Sequence, residues 1–452
     1  MKLNRKFIKI LTASIFCFVF YFFSNAQMNP FGIDLPIKSE AVYLINTDTN
    51  TLIYEKNKDV KMASSALVKM MTVILALESD EFKQNPKKFL NTKIEATSEI
   101  FERLYLKGAS NANIKLGEQI TIKDALYAIM INSACEATMM LVNHLTNNNP
   151  EQFVNQMNEK AEKIGMQNTN FTDPDGLDTE QQLTTAYDMY LLTKYCMKNK
   201  LFKKIATTST YEIASTNIRS TPIKLIHTNK MLSRFLGGKN YDSRMKGIKT
   251  GRVDDKENLI TIASEKSYNY LLIILGAPKE KNENLLYKET KDLFDWVFKN
   301  LKLEIIATPY ENIIPHNIKV EMSKKDQELS LTPKDPVTIL LPKTIDKSTI
   351  FWDVSSLPKT ISAPIKKGDE IGTISLKLSD QEIKNIKLIA AQDVQVNIIS
   401  FITHKTLKII TSWWFIAIVS MSLLLFILII KNNKFKKSKT KSKKFKKYKR
   451  LK

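Results

Sequence analysis

Ser64-Ser65-Ala66-Leu67-Val68-Lys69-Met70-Met71-Thr72 is the stretch on which the reading of this 452-residue chain turns. Apolar residues at Leu67, Met70, Met71, Ile74 and Leu77 recur at the three- and four-residue spacing of a buried helix. Lys69 stands within this stretch. Two other segments carry polar groups of the same kind. Asn132-Ser133-Ala134-Cys135-Glu136-Ala137 interrupts a helical pattern running from Ile122 to Leu145. Gly247-Ile248-Lys249-Thr250-Gly251 leads into a strand-like run. One of these segments alone says little; their order and spacing together are specific.

Working outward, Ala41–Tyr54 reads as two β-type runs around Asp48-Thr49-Asn50, a hairpin. Asp173-Pro174-Asp175-Gly176 is a turn cluster, followed by a helical run from Thr185 to Met197. Leu259–Ala263 and Tyr270–Leu275 read as strands and Leu286–Asn300 as a helix. Strands at both ends with helices between them point to an α+β layer domain over residues 27–303. Beyond Leu303 short alternating segments (Ile318–Met322, Val337–Leu341, Glu370–Leu376, Lys387–Ala391) between turn residues point to a small all-β domain, 304–400. That domain would act as a stalk.

The formal charge of +22 resembles that of a nucleic-acid binder until it is located. Residues 431–452 hold 13 Lys or Arg and no acid, and residues 1–26 hold Lys2, Arg5, Lys6 and Lys9. Without those 17 cations, 51 basic residues face 46 acidic ones, so the body is near balance and no nucleic acid is expected as partner. The N-terminal basic residues precede an apolar run, Ile10–Phe23, and Ser24-Asn25-Ala26 has small residues at −3 and −1. This is the pattern of a signal peptide, 1–26, cleaved after Ala26. An uncleaved anchor is the alternative, and the run is short for a span. Phe16 before Cys17 argues against a lipoprotein site. The uncharged stretch Ile409–Ile430 is long enough to cross a bilayer, with Trp413 and Trp414 near one end and the Lys-rich tail at the other. A single pass with the body outside and tail 431–452 in the cytoplasm follows, and the tail would also attract anionic lipid. Cys135 and Cys196 make no disulfide framework, and the four histidines form no ligand pair, so neither a metal nor a cofactor is expected.

The three segments, in an exported and anchored chain, resemble the S-x-x-K, S-x-N and K-T-G motifs of the serine D-alanyl-D-alanine carboxypeptidases, the low-molecular-mass penicillin-binding proteins. The hairpin AVYLINTDTNTLIYEKN, the run Lys115-Leu116-Gly117-Glu118, the phrase DPDGLD at 173–178 and the segment Ala363–Gly372 extend the likeness over residues 38–400. The resemblance implies a penicillin-binding, β-lactamase-like transpeptidase domain, an all-β second domain and a C-terminal transmembrane helix. It implies a serine-type carboxypeptidase acting on peptidoglycan stem peptides that end in D-Ala-D-Ala, with β-lactams as further ligands. In such a site Lys69 is the base and Ser133 relays the proton. Lys249 and Thr250 hold the substrate carboxylate, and the side-chain-free Gly251 lets its backbone lie on the strand. Backbone N–H groups at position 66 and near Arg252 form the oxyanion hole.

The chain departs from the pattern twice. Lys69-Met70-Met71-Thr72 sets the register, and three places back stands Ala66, where the nucleophilic serine belongs. Cys135 replaces the asparagine of the second motif and donates hydrogen bonds poorly. Ser65 offers one rescue: if helical, it lies about 400° from Lys69 and shares its face. It would then attack from a place shifted by about 1.5 Å along the helix axis, enough to cost on the order of a hundredfold in rate. Helix capping is the simpler role for Ser64 and Ser65. Three readings stay open: an enzyme using Ser65, a silent protein that binds peptidoglycan or β-lactam as a wall scaffold or regulator, and, more weakly, a class A β-lactamase.

Overall fold

The computed structural model describes residues 29–448 except 106–107, 178–179, 267, 282, 310–316, 324–326 and 379–380. The signal-peptide segment 1–26 therefore lies outside the described residues, as does His316. The chain divides into one unit running to Leu303, with Leu340–Thr344, and a second of Glu304–Ile339 and Ile345 onward.

The first unit is organised by five strands: β1 (Ala41–Asn46), β2 (Thr51–Lys56), β3 (Met245–Val253), β4 (Lys256–Glu265) and β5 (Tyr268–Pro278). They form one sheet in the order β2-β1-β5-β4-β3, so the two chain ends of the unit meet at its centre and β3 is an edge. Ala41 pairs with Leu275 and Asn46 with Tyr270 in antiparallel register. Every residue of β1 is buried, because both faces of the sheet are covered. Ala41, Tyr43 and Ile45 face a large helical core, whereas Val42 and Leu44 face a second core closed by Leu286, Leu293, Phe294 and Val297 of a long C-terminal helix, Leu285–Asn300. Alternation along one strand thus builds a three-layer packing of helices, sheet and helix. The hairpin, the strands and that helix stand where the residue patterns place them.

In the helical layer, α1 (Lys69–Ala76) follows a single 3-10 turn, Ser65–Val68. α2 (Ile122–Ile131) starts at a capping box in which Thr121 and Asp124 satisfy each other's backbone N–H, and α3 (Cys135–Thr146) follows four residues after α2 ends.

The second unit, by itself, is built from short strands. One four-stranded sheet orders Leu331–Pro333, Gln381–Ala390, Glu370–Leu378 and Ile350–Asp353; a three-stranded one contains Ile318–Glu321. Two helices follow, α4 (Ile398–Ile410) and α5 (Trp413–Tyr448). The candidate apolar span is Trp413–Asn432, against the expected Ile409–Ile430. Ile409 and Ile410 end α4, where the Thr411 and Ser412 hydroxyls donate to the Leu407 and Ile409 carbonyls and compete with helix continuation. Counting uncharged residues cannot register that break.

Candidate active site

Three different local devices bring the polar residues together. Lys69 is the first residue of α1 and only 1% exposed, pointing inward because the apolar stripe of α1 buries that face. Ser133 and Cys135 occupy the break between α2 and α3. Ser133 has φ +59° and the Ala134 N–H reaches back to the Ala128 carbonyl, the way a helix ends through a left-handed residue. A serine there costs about 1 kcal/mol or more, a strain of the kind found at functional sites. Lys249, Thr250, Gly251 and Arg252 lie along the edge strand β3.

These elements line one cleft of ≈ 730 Å³ that includes Ala66, Lys69, Ser133, Cys135, Thr250 and Arg252. The Lys249 amine is fully buried and donates to Ser133 Oγ at 2.9 Å and to the Thr250 carbonyl at 3.1 Å. The Lys69 amine donates to Cys135 Sγ at 3.4 Å and to the Asp175 carbonyl. Thr250 Oγ1 lies 2.6 Å from Thr228 Oγ1. Among the described residues neither lysine has a carboxylate partner within ion-pair distance. Burial, and then the charge of Lys69, hold the Lys249 amine well below its ordinary range. Buried His227 is lowered to about 3 by desolvation and by Lys249, so it stays neutral and adds no charge. Burial raises the Cys135 thiol, outweighing the opposite pull of Lys69.

The structure adds residues that side-chain motifs do not reveal. The turn 173–176 reaches the site with its backbone: the Pro174 carbonyl accepts from Thr72 Oγ1 at 2.7 Å, and the Asp175 carbonyl meets Lys69. Gly176 has φ +79°, and a Cβ there would stand 2.8 Å from the Ala66 nitrogen and closer still to the Ser65 carbonyl. Arg103 pairs with the wholly buried Asp175 carboxylate and anchors the turn. The sequence marks this segment only as a turn.

Two expectations are corrected. Ser64 makes no side-chain cap and its buried hydroxyl has no partner among the described residues, and Ser65 does not cap either. Ser65 opens the 3-10 turn with φ +49° and lacks α-helical geometry, so the four-residue arc that would bring it to Lys69 does not apply. Its hydroxyl instead donates to the Arg252 carbonyl at 2.7 Å and accepts from the Arg252 N–H at 3.0 Å. Ala66 lines the cleft between Ser65 and Lys69.

Comparison with known proteins gives a consistent result. The family described as D-alanyl-D-alanine carboxypeptidase matches residues 26–279, and the penicillin-binding protein 5 C-terminal domain matches residues 311–396. Similar curated proteins include D-alanyl-D-alanine carboxypeptidase DacF of Bacillus subtilis (strain 168), 28% identical over 367 residues, 80% of this chain and 87% of that protein. DacC of Escherichia coli (strain K12) is 25% identical over 383 residues, 84% and 90% of the two chains. Among solved structures, penicillin binding protein 5 from Haemophilus influenzae has the same fold (TM-score 0.63, 23% identity, 80% of this chain and 100% of that one). So does the carboxypeptidase DacD from Francisella tularensis (TM-score 0.60, 22% identity, 82% and 96%).

Proposed function

The chain belongs to the D-alanyl-D-alanine carboxypeptidase family, and from that premise we propose that it grips the D-Ala-D-Ala end of peptidoglycan stem peptides without forming an acyl-enzyme. The observation that carries this reading is a pair of buried amines: Lys69 lines the cleft, Lys249 donates to the cleft-lining Ser133, and neither has a carboxylate partner among the described residues. A terminal carboxylate is the group that would complete them. Lys249 and Thr250 would hold it by charge-assisted hydrogen bonds. Edge strand β3 would take the peptide backbone as an added strand, with Gly251 leaving room for close approach. The N–H groups of Ala66 and Arg252 would receive the carbonyl oxygen.

Turnover needs an atom that attacks that carbonyl, with Lys69 taking its proton and Ser133 passing a proton toward the leaving amine. The Ala66 methyl has no such atom, and the Ser65 hydroxyl is engaged by Arg252. The remaining groups bind and orient. The same chemistry extends to β-lactams as reversible ligands. The apolar helix Trp413–Asn432 would hold the protein in the membrane as a single pass, the cleft outside and the Lys-rich tail on the cytoplasmic side. The second unit would serve as the stalk.

The test uses the full chain in detergent. Diacetyl-L-Lys-D-Ala-D-Ala should bind reversibly in calorimetry, release no D-alanine, and lose its affinity on Lys249→Ala. Fluorescent penicillin should leave no covalent label. An adduct mapped by mass spectrometry to Ser65, or released D-alanine, would replace this reading with the enzymatic one.

A further inference from the structure

The Ser65 hydroxyl occupies the hydrogen-bonding groups at the sheet edge that an incoming peptide would need. Among the described residues β3 has no strand on its outer side, and Arg252 stands opposite Glu257 of β4 on its inner side. In an antiparallel ladder, alternate residues direct both N–H and C=O away from the neighbouring strand. Arg252 is such a residue: one hydroxyl accepts from its N–H at 3.0 Å and donates to its C=O at 2.7 Å. A single Oγ thus acts as donor and acceptor at once, as the backbone of an added strand would. Ser65 is held there by the chain on both sides. Its own φ of +49° turns the side chain toward β3. Gly251 lies against it, where a Cβ would be 3.3 Å from Ser65 Cβ and 3.4 Å from Ser65 Oγ. Ser65 is 3% exposed yet lines the cleft.

We propose that Ser65 is an affinity-setting residue of the cleft, an internal stand-in for the ligand's amide and carbonyl that must leave Arg252 before a D-Ala-D-Ala peptide or β-lactam can dock on β3. This rests on the proposed binding function and deepens it. The site is then modified at two consecutive positions. Ala66 removes the attacking atom, and Ser65 masks the backbone pair that would position the carbonyl. Restoring a serine at position 66 alone leaves the mask in place.

The experiment compares full-length Ser65→Ala and Ser65→Gly with the parent, using diacetyl-L-Lys-D-Ala-D-Ala binding by calorimetry. Two hydrogen bonds of ordinary net strength exchanged for ligand contacts predict about tenfold tighter binding in both variants. In parallel, Ala66→Ser and the Ser65→Ala/Ala66→Ser double variant are labelled with fluorescent penicillin, and the double variant should acylate about tenfold faster. Ser65→Gly guards against a folding artefact, since glycine accepts the left-handed φ without strain. Its melting temperature should match or exceed the parent's. Unchanged or weaker affinity in both variants, with the parent binding normally, overturns the masking role and leaves the binding function standing. A lowered melting temperature with unchanged affinity identifies Ser65 as a structural tie between the turn and β3, which also overturns it. Failure of every variant to bind or label overturns both.

Discussion

Gly176→Ala tests whether the turn at 173–176 is pressed onto the site or merely near it. Two terms add. At φ +79° a Cβ meets its own backbone, a strain of roughly 1–2 kcal/mol. That Cβ would also stand 2.8 Å from the Ala66 nitrogen and nearer the Ser65 carbonyl, and these are backbone atoms that no rotamer change can move aside. Such overpacking costs about 1–3 kcal/mol more. Gly32 separates the terms: its φ is +66° and a Cβ there would have nothing within 4 Å, so Gly32→Ala carries the conformational term alone. Scanning calorimetry of both variants should show Gly176→Ala melting lower than Gly32→Ala by several degrees, at about 2–4 °C per kcal/mol for a domain of this size. The displaced turn would also withdraw the Asp175 carbonyl from Lys69, so peptide affinity should fall in Gly176→Ala and hold in Gly32→Ala. If the two variants melt within a degree of each other and bind alike, the turn does not form a wall of the site.

Lys249 links the site to pH. Its folded-state pKa lies well below the ordinary 10.5, so between the two values the unfolded chain binds a proton there that the folded chain does not. Stability from this group therefore rises with pH up to about 10.5 and is lost as pH falls toward the folded value. Lys249→Met should flatten that slope and raise stability at pH 7 by about 1–3 kcal/mol in urea titrations, while abolishing peptide binding. A loss of stability would show that the amine is better solvated than its burial implies. For the same reason a carboxylate arriving beside Lys249 should bring a proton with it, seen as a buffer-dependent binding enthalpy; equal enthalpies in phosphate and Tris would argue against that pairing. Arg103→Met strands the buried Asp175 carboxylate and should cost about 3–5 kcal/mol near neutral pH, recovered largely by adding Asp175→Asn, as measured by thermal melts. Cys135 and Cys196 are both buried with raised pKa values, so neither should react with maleimide in the native protein and both should react in urea, as read by mass spectrometry.

What could be read from residues alone follows from what side chains report. The apolar runs in Ala41–Tyr54 and Tyr270–Leu275 become the sheet centre because both faces find apolar cover. Lys69, Ser133 and Lys249 converge because each stands at an element boundary or edge that its local pattern marks. Backbone features were out of reach. The arc of about 400° from Ser65 to Lys69 holds only in an α-helix, but the chain enters α1 through a 3-10 turn with Ser65 left-handed. Asp175 acts on Lys69 through its carbonyl, a group every residue carries, so only the DPDG turn signal hinted at a sharp approach. Arg103 lies far from that turn in sequence, and nothing local distinguishes it from a solvent-facing arginine.

The two lysines make the strongest case that the cleft is a working binding site. A buried amine without a counter-ion is a standing destabilisation, and here two of them face each other's field. An apolar substitution at Lys249 should relieve it, as the Lys249→Met prediction states. A cleft with no ligand would be more stable without these amines. The left-handed Ser133 adds backbone strain beside them. An anionic group entering the ≈ 730 Å³ cleft would favour the protonated form of the buried Lys249 amine and offset its desolvation. Ser65 and Ala66 then divide two functions that are often treated as one. On the proposed binding function, position 66 would determine whether a bound carbonyl can be attacked, and position 65 how readily it reaches the strand. A single hydroxyl one residue too early would then leave binding possible, make it weaker, and leave the chemistry without its attacking atom.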